Sequence, residues 1–498
     1  MGSSQKIAKG VFWTTLVNLV NGLYGFISVP ILLAYFGKSD YGLIGLAMSV
    51  NVYLRLMDMG LNSTNVRFFS NWIAKKEYEQ VNKLFQTSLT FYGTIGLLNA
   101  LILVVVSCFS QQIFHLSTEQ DIIVKHLFYI LAISAFISWF TSCFDQLIRA
   151  NENVDWTQKI TLLPKIVQMI VLALTVLLHF SIELYYALTA FSMFLVIPFC
   201  VHKIRQICPY VSFHLGFDKP ILKEILPYCL NIFSFGIFQF SMNHLRPVFL
   251  GMQGTIESVA DYRVLNGIIS IVLMLGGAFM GVFLPSSAKA VAKGDKAAQD
   301  KVAYNGTKYI SMTLCFCCFG VISVSPELIT LYVGEEYLYL TGWLIVWLLT
   351  TLAAHNQAIS SLIMAGADIR AITRNTIVSS IVGLLICWFT IPYWQIGGTV
   401  IAYGIYVLMQ LLFYYFYYWP CVMKINSWKV FKESFMPYVL AGSGIAFVCY
   451  QIHFEMATII AFLVKGCVFI LLFFSVALLT LNKEDKLLFT KLLKTNEK

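Results

Sequence analysis

Charge is what this chain has least of. Only 12% of its 498 residues are Asp, Glu, Lys or Arg, and 58% are hydrophobic, where soluble proteins carry about 25% charged residues. That shortage excludes a water-soluble globular protein. Order among the cysteines is also missing. The twelve lie mostly within apolar stretches, with no histidine partner at metal-ligand spacing, so neither a disulfide framework nor a metal site is expected. No GxxxxGK[ST] pattern occurs, which excludes a P-loop as a motor. The apolar stretches over 10–36 and 225–250 hold no acidic residue, which argues against a buried carboxylate for organic cations in either.

What the chain has is apolar length. A membrane span needs about 20 mostly apolar residues, and runs of that size recur throughout. Fourteen spans are predicted, at 10–36, 40–64, 84–109, 122–148, 159–180, 183–202, 224–250, 259–284, 303–325, 338–365, 373–392, 397–419, 434–452 and 457–481. The first is too long for a cleaved signal. With the N-terminus inside, 27 of the 34 lysines and arginines fall in inner segments, and the outer loops hold Lys38 alone. That asymmetry predicts an even number of spans with both termini cytoplasmic. The net charge of +9 is then topology, and no nucleic-acid partner is implied. The basic inner loops near 65–83, 203–223 and 286–302 are expected to form short amphipathic surface helices, such as "WIAKKEYEQVNKLF".

The chain also repeats. "QLIRANENVDWTQKIT" (146–161) and "SLIMAGADIRAITRNT" (361–376) both end one span, turn, and start the next. Leu147, Ile148, Ala150 and Lys159 align with Leu362, Ile363, Ala365 and Arg374. Met59-Gly60 has a counterpart in Met280-Gly281. Spans 1–6 therefore match spans 7–12 in number and loop placement. Six is even, so the repeat is parallel, which suggests two six-helix lobes around a central cavity that rock to alternate access. The expected organisation is an N-lobe over 1–202, a linker over 203–223, a C-lobe over 224–419, and two added spans with a basic tail over 420–498. The fold class is an all-α polytopic membrane protein.

A charge at the bilayer centre costs about 2.5–3.5 kcal/mol on insertion scales, so charges deep in spans should face a cavity or a partner. Arg55 and Asp58 in "YLRLMDMGLN" stand three apart, one turn on a helix. They form either a self-neutralising structural pair or a cavity pair that contacts substrate or a coupling ion. Arg246 in "NHLRPVF" has no carboxylate within a turn and precedes Pro247, which frees a carbonyl. It is the best single anion-site candidate. Lys165 after Pro164, Lys465, and the asparagines Asn18 and Asn21 of the uncharged first span complete the candidate substrate-binding set. Asp58, His244 and His355 are candidates for ion coupling, though His355 in "AAHNQAISS" also suits helix packing.

Three stretches carry a resemblance: "KGVFWTTLVNLVNGLYGFISVPILLAYFGKSDYGLIGLA" (9–47), "DMGLNSTNVRF" (58–68) and "SVADYRVLNGI" (258–268). In order, and at these span positions, the chain resembles bacterial oligosaccharide-lipid flippases. These form the polysaccharide transporter branch of the multidrug/oligosaccharidyl-lipid/polysaccharide exporter superfamily. The resemblance implies repeat units on undecaprenyl pyrophosphate, carried from the inner to the outer leaflet of the bacterial cytoplasmic membrane. It implies no cofactor and no catalytic residue, coupling to protons or sodium, and polymerase and chain-length proteins of the same pathway as partners. Members often carry an aspartate late in span 7, where this chain has "HLRPVFLG". The alternatives are a drug/cation antiporter of the same fold and a membrane glycan polymerase or ligase. The short outer loops count against the enzymes.

Overall fold

A computed structural model describes residues 3–366, 370–452 and 457–480. Every regular element among them is helical. The chain divides into two compact units, residues 1–267 with 376–402, and residues 268–375 with 403–498.

The first unit contains α1 (Ser3–Leu54), α2 (Leu61–Ala74), α3 (Tyr78–Cys108), α4 (Ser110–Phe114), α5 (Thr118–Ala150), α6 (Val154–Leu178), α7 (Ile182–Phe191), α8 (Val196–Ile207), α9 (Lys219–His244) and α10 (Arg246–Gln253). The long α11 (Ile256–Ala292) leads into the second unit. There follow α12 (Lys296–Lys301), α13 (Thr307–Ser323), α14 (Ser325–Val333), α15 (Thr341–Thr351) and α16 (Gln357–Gly366). After α17 (Arg370–Trp394) and α18 (Ile396–Phe413), whose facing ends return to the first unit, come α19 (Ser427–Lys429), α20 (Met436–Gln451) and α21 (Thr458–Thr480).

Ten described helices are long and apolar enough to cross a membrane. The first holds two predicted spans, joined where Gly37 leaves helical geometry at φ 81°. Predicted spans 7, 8 and 13 fall on α9 with α10, on α11 and on α20. All fourteen predicted spans thus coincide with helix, and the protein is a multi-pass membrane protein. The basic tail lies outside the described residues.

Two local expectations are corrected. Span 2 does not run through to residue 64. It tightens into a 3-10 turn over Arg55–Asp58 and stops at Met59 and Gly60, both left-handed at φ 49° and 77°. Glycine takes that conformation without steric cost, and here the backbone also passes Cys229 too closely for a side chain: a Cβ would lie 2.9 Å from that carbonyl oxygen. The counterpart Met280-Gly281 sits inside continuous helix α11, so the repeat does not extend to backbone shape. The surface-helix expectation also fails in detail. "WIAKKEYEQVNKLF" is split between α2 and α3 by a turn at Lys75–Glu77, and no helix spans 208–218.

The core of the first unit packs α2, α3, α5 and α8 around Phe69, Trp72, Phe85, Tyr92 and Leu147. A buried polar chain crosses it. Asn65 donates to Ser88 Oγ (2.9 Å) and Gln146 Oε1 (2.8 Å), Gln146 donates to the Tyr92 hydroxyl (2.7 Å), and Tyr92 donates to Asp58 Oδ1 (2.7 Å). Lys38, the lone cation expected in the outer loops, pairs with buried Asp261 at 2.9 Å. In the second unit, α13 packs on α20 and α21, and aromatic Tyr418 and Trp419 anchor a smaller core.

Candidate functional site

The sequence motifs meet at one place. In "GKSDYGLIGLA" the spacing of Gly42 and Gly45 puts both on one face of α1. The start of α11 lies so close that a Cβ on Gly42 would run into the Ile256 carbonyl, and one on Gly45 into Arg263 Cδ. Those glycines let "SVADYRVLNGI" seat Arg263 against α1. Tyr41, fully buried, accepts from Arg263 Nε at 3.2 Å, and the guanidinium carbon lies 5.4 Å from the Tyr41 ring centre.

Arg263 opens onto a cavity of about 270 Å³ within the first unit, lined from α1, α5, α6, α7 and α11. Two more cations line it, Arg55 and Lys165. Lys165 donates to Gln168 Oε1 (2.9 Å) and stands 4.9 Å from the Tyr24 ring centre. Arg55 is exposed and, among the described residues, has no carboxylate within ion-pair distance. The rest of the lining includes Tyr24, Tyr185, Tyr186, Asn51, and the hydroxyls of Ser28, Ser134, Ser138 and Thr189. The Tyr186 hydroxyl is buried with no hydrogen-bond partner among the described residues. No Asp or Glu is among the lining residues.

Three cations without an acid make an electropositive chamber. Arginine offers paired donors in a plane that match phosphate oxygens, and tyrosine faces with hydroxyls suit sugar rings. Like charges gathered around one chamber repel one another, which an anionic guest would relieve.

Of the sequence candidates, Arg55 and Lys165 line this cavity together. The others do not. Asp58 is not bound to Arg55. Its oxygens accept from Tyr92 and from the Asn62 N–H (3.1 Å), because the 3-10 turn carries it toward α3, so it is an anchor of the helix end. Arg246 is buried at the α9–α10 break, donating Nε–H to the Met242 carbonyl (3.0 Å), with Tyr262 5.5 Å from its guanidinium. Asn18 is exposed on α1, and Asn21 is part-buried there. His244 packs on Phe240 with ring centres 4.1 Å apart.

Lys465 is buried in the second unit and bound to Glu327 at 2.6 Å, fixing α21 to α14. His355, also there, has both ring nitrogens engaged, with the Leu352 carbonyl (2.8 Å) and the Tyr415 hydroxyl (2.6 Å), and stacks on Phe435. That is a packing histidine in geometry. It borders an apolar cavity of about 610 Å³ lined by Leu411, Phe416, Trp428 and Phe431. Arg263 is the cavity residue that sequence reasoning passed over. It stands two residues from Asp261 near the start of a predicted span, and its place in "SVADYRVLNGI" was the available signal.

The fold is that of an all-α multi-pass membrane protein, and its first unit holds a chamber lined by three cations with no acid among the lining residues. A family model described as polysaccharide biosynthesis protein matches residues 32–341, and the chain belongs to that family. Among solved structures, it is similar to the lipid II flippase MurJ in an inward closed conformation (TM-score 0.72, 14% identity, covering 94% of this chain and 98% of that one). It is also similar to an inward-facing multidrug resistance MATE transporter of the MOP superfamily (TM-score 0.67, 13% identity, 88% and 99%). A third is the MATE multidrug transporter DinF-BH (TM-score 0.57, 13% identity, 83% and 96%). At these identities the likeness is one of fold. No curated protein matches the chain.

Proposed function

We propose that the protein flips a lipid-linked oligosaccharide, a repeat unit on undecaprenyl pyrophosphate, from the inner to the outer leaflet of a bacterial cytoplasmic membrane for surface polysaccharide assembly. The observation that carries this reading is the cavity of Arg55, Lys165 and Arg263 with no acid in its lining. The pyrophosphate takes the cations, the sugars take the tyrosines and hydroxyls, and the isoprenoid tail stays in lipid. Family membership in polysaccharide biosynthesis supports it. At about 30 Å³ per water, the cavity of about 270 Å³ holds a pyrophosphate but no multi-sugar glycan. The cycle therefore passes through a wider state, as alternating access requires. An ion gradient drives it, and the product goes to the polymerase and chain-length proteins of the pathway.

A drug/cation antiporter of the same fold is the second reading, favoured by the MATE likeness. The unneutralised cations oppose it, since an organic cation would be repelled. The experiment is surface-glycan display with Arg55→Ala, Lys165→Ala and Arg263→Ala at matched protein level. Each charged contact with phosphate is worth about 1.5–3 kcal/mol, so flux should fall about tenfold or more per variant. Normal display in all three would overturn the reading. Sensitisation of a deletion strain to cationic dyes with glycan intact would establish the antiporter instead.

A further inference from the structure

The apolar cavity of the second unit is built on unusual backbone. α18 does not end cleanly at Phe413. It widens into a π-helix over Tyr414–Met423, and a second π stretch, Val430–Phe435, leads into α20. Long π segments are rare, and π geometry is frequent at functional sites. The two stretches give Tyr415, Phe416, Phe431 and Phe435 to the cavity of about 610 Å³, with Leu411 and Trp428 beside them. No Lys, Arg, Asp or Glu is among its lining residues. At about 30 Å³ for a water-sized group such as a methylene, it has room for one acyl chain.

The turn between the π stretches adds a polar edge. Asn426 and Ser427 line the cavity there, and the Ser427 hydroxyl is buried with no hydrogen-bond partner among the described residues. Trp428 is 68% exposed, as suits a tryptophan at a membrane–water interface. The turn joins predicted spans 12 and 13 on the predicted inner side. It is also basic. Lys424, Lys429 and Lys432 are exposed, and among the described residues none has a carboxylate within ion-pair distance. Glu433 is the one acid of the stretch 424–433. The Lys429 ammonium stands 4.6 Å from the Tyr304 ring centre, and the Tyr304 hydroxyl accepts from the Asn426 N–H at 3.2 Å. That contact holds the cation beside a lining residue. Lys296 reaches the same turn, donating to the Met423 carbonyl at 3.0 Å.

We propose that this cavity holds one acyl chain of an anionic phospholipid, with the head-group phosphate at the Lys424–Lys432 turn. The binding does not depend on what the protein transports. Apolar walls take the chain, and lysines reach a phosphate at the interface while their stems stay on apolar surface. A zwitterionic lipid would bring its own ammonium against those lysines. An isoprenoid tail would answer the walls alone and leave the basic turn and the Ser427 hydroxyl without a partner, since the cations proposed for its pyrophosphate are Arg55, Lys165 and Arg263 of the first unit. The bound lipid ties the π end of α18 to the start of α20, so it stabilises the second unit in proportion to its binding.

The test is equilibrium binding of radiolabelled dioleoyl phosphatidylglycerol to the purified full-length protein in detergent. Unlabelled phosphatidylglycerol, dioleoyl phosphatidylethanolamine and undecaprenyl phosphate serve as competitors. The expected result is saturable binding that the ethanolamine lipid, with the same chains, displaces far less well than unlabelled phosphatidylglycerol does. Lys429→Gln and Lys432→Gln should each weaken binding about fivefold, the usual worth of a basic residue facing anionic lipid. Leu411→Trp, which fills the cavity, should abolish it, and Lys165→Ala in the first unit should leave it unchanged. The two lysines are exposed, so their variants keep the fold and decide the matter even if Leu411→Trp does not fold. The proposal is overturned if both phospholipids compete equally, if the lysine variants bind as the wild type does, if the loss follows Lys165→Ala instead, or if undecaprenyl phosphate outcompetes phosphatidylglycerol. No glycan enters the assay, so its failure is separate from that of the flippase reading, which the Arg55 series tests.

Discussion

Tyr92→Phe removes one oxygen and cuts the polar chain that runs from Asn65 to Asp58. Two hydrogen bonds go, the one Tyr92 accepts from Gln146 and the one it donates to Asp58, both 2.7 Å. Gln146 is only 1% exposed, so its amide cannot find water and bears an unmet-donor penalty of about 1–3 kcal/mol. Asp58 keeps the Asn62 N–H and partial exposure, so its loss is smaller. Interhelical hydrogen bonds in membranes average about 0.6 kcal/mol, with a maximum near 1.7, because unfolded helices find other partners. The expected destabilisation is therefore about 1–3 kcal/mol. It is read from SDS-driven unfolding of the purified protein in mixed micelles. Adding Gln146→Leu removes the stranded donor, so the double variant should be less destabilised than the two single losses added together. A Tyr92→Phe effect below about 0.3 kcal/mol, the usual limit of additivity, or strict additivity with Gln146→Leu, would refute the network's role.

Two more predictions follow from buried contacts. Glu327→Gln strands the Lys465 ammonium, 1% exposed, and should cost about 3–5 kcal/mol; Glu327→Leu with Lys465→Met should restore most of that in the same unfolding assay. Gly42→Ala should lower the melting temperature and glycan display together, by pushing α11 off α1 and displacing Arg263. The added methyl has no room against the Ile256 carbonyl, and overpacking costs about 1–3 kcal/mol.

Class and span count were legible because they depend on sums over long windows. Apolar length is a local property of twenty residues, and the lysine–arginine asymmetry is an average over many loops. Arg55 and Lys165 were legible as charges that need a reason. What they do was not, because a side chain's partner is set by helices distant in sequence. Arg55 and Asp58 read as a pair on one helix turn, yet the 3-10 turn ended by Met59 and Gly60 sends Asp58 to Tyr92 on α3 and leaves Arg55 to the cavity. Lys465 read as a substrate-binding candidate until α14 supplied Glu327, 138 residues away.

By itself, then, the sequence determined a polytopic helical membrane protein with a lopsided distribution of positive charge, since hydrophobic thickness and charge bias act on each segment alone. The tertiary structure decided which charges are spent and which are free. Neutralisation is a matter of a few ångströms between residues far apart in the chain. Only packing could show that Lys38 meets Asp261, that Lys465 meets Glu327, and that Arg55, Lys165 and Arg263 share a chamber with no acid in its lining.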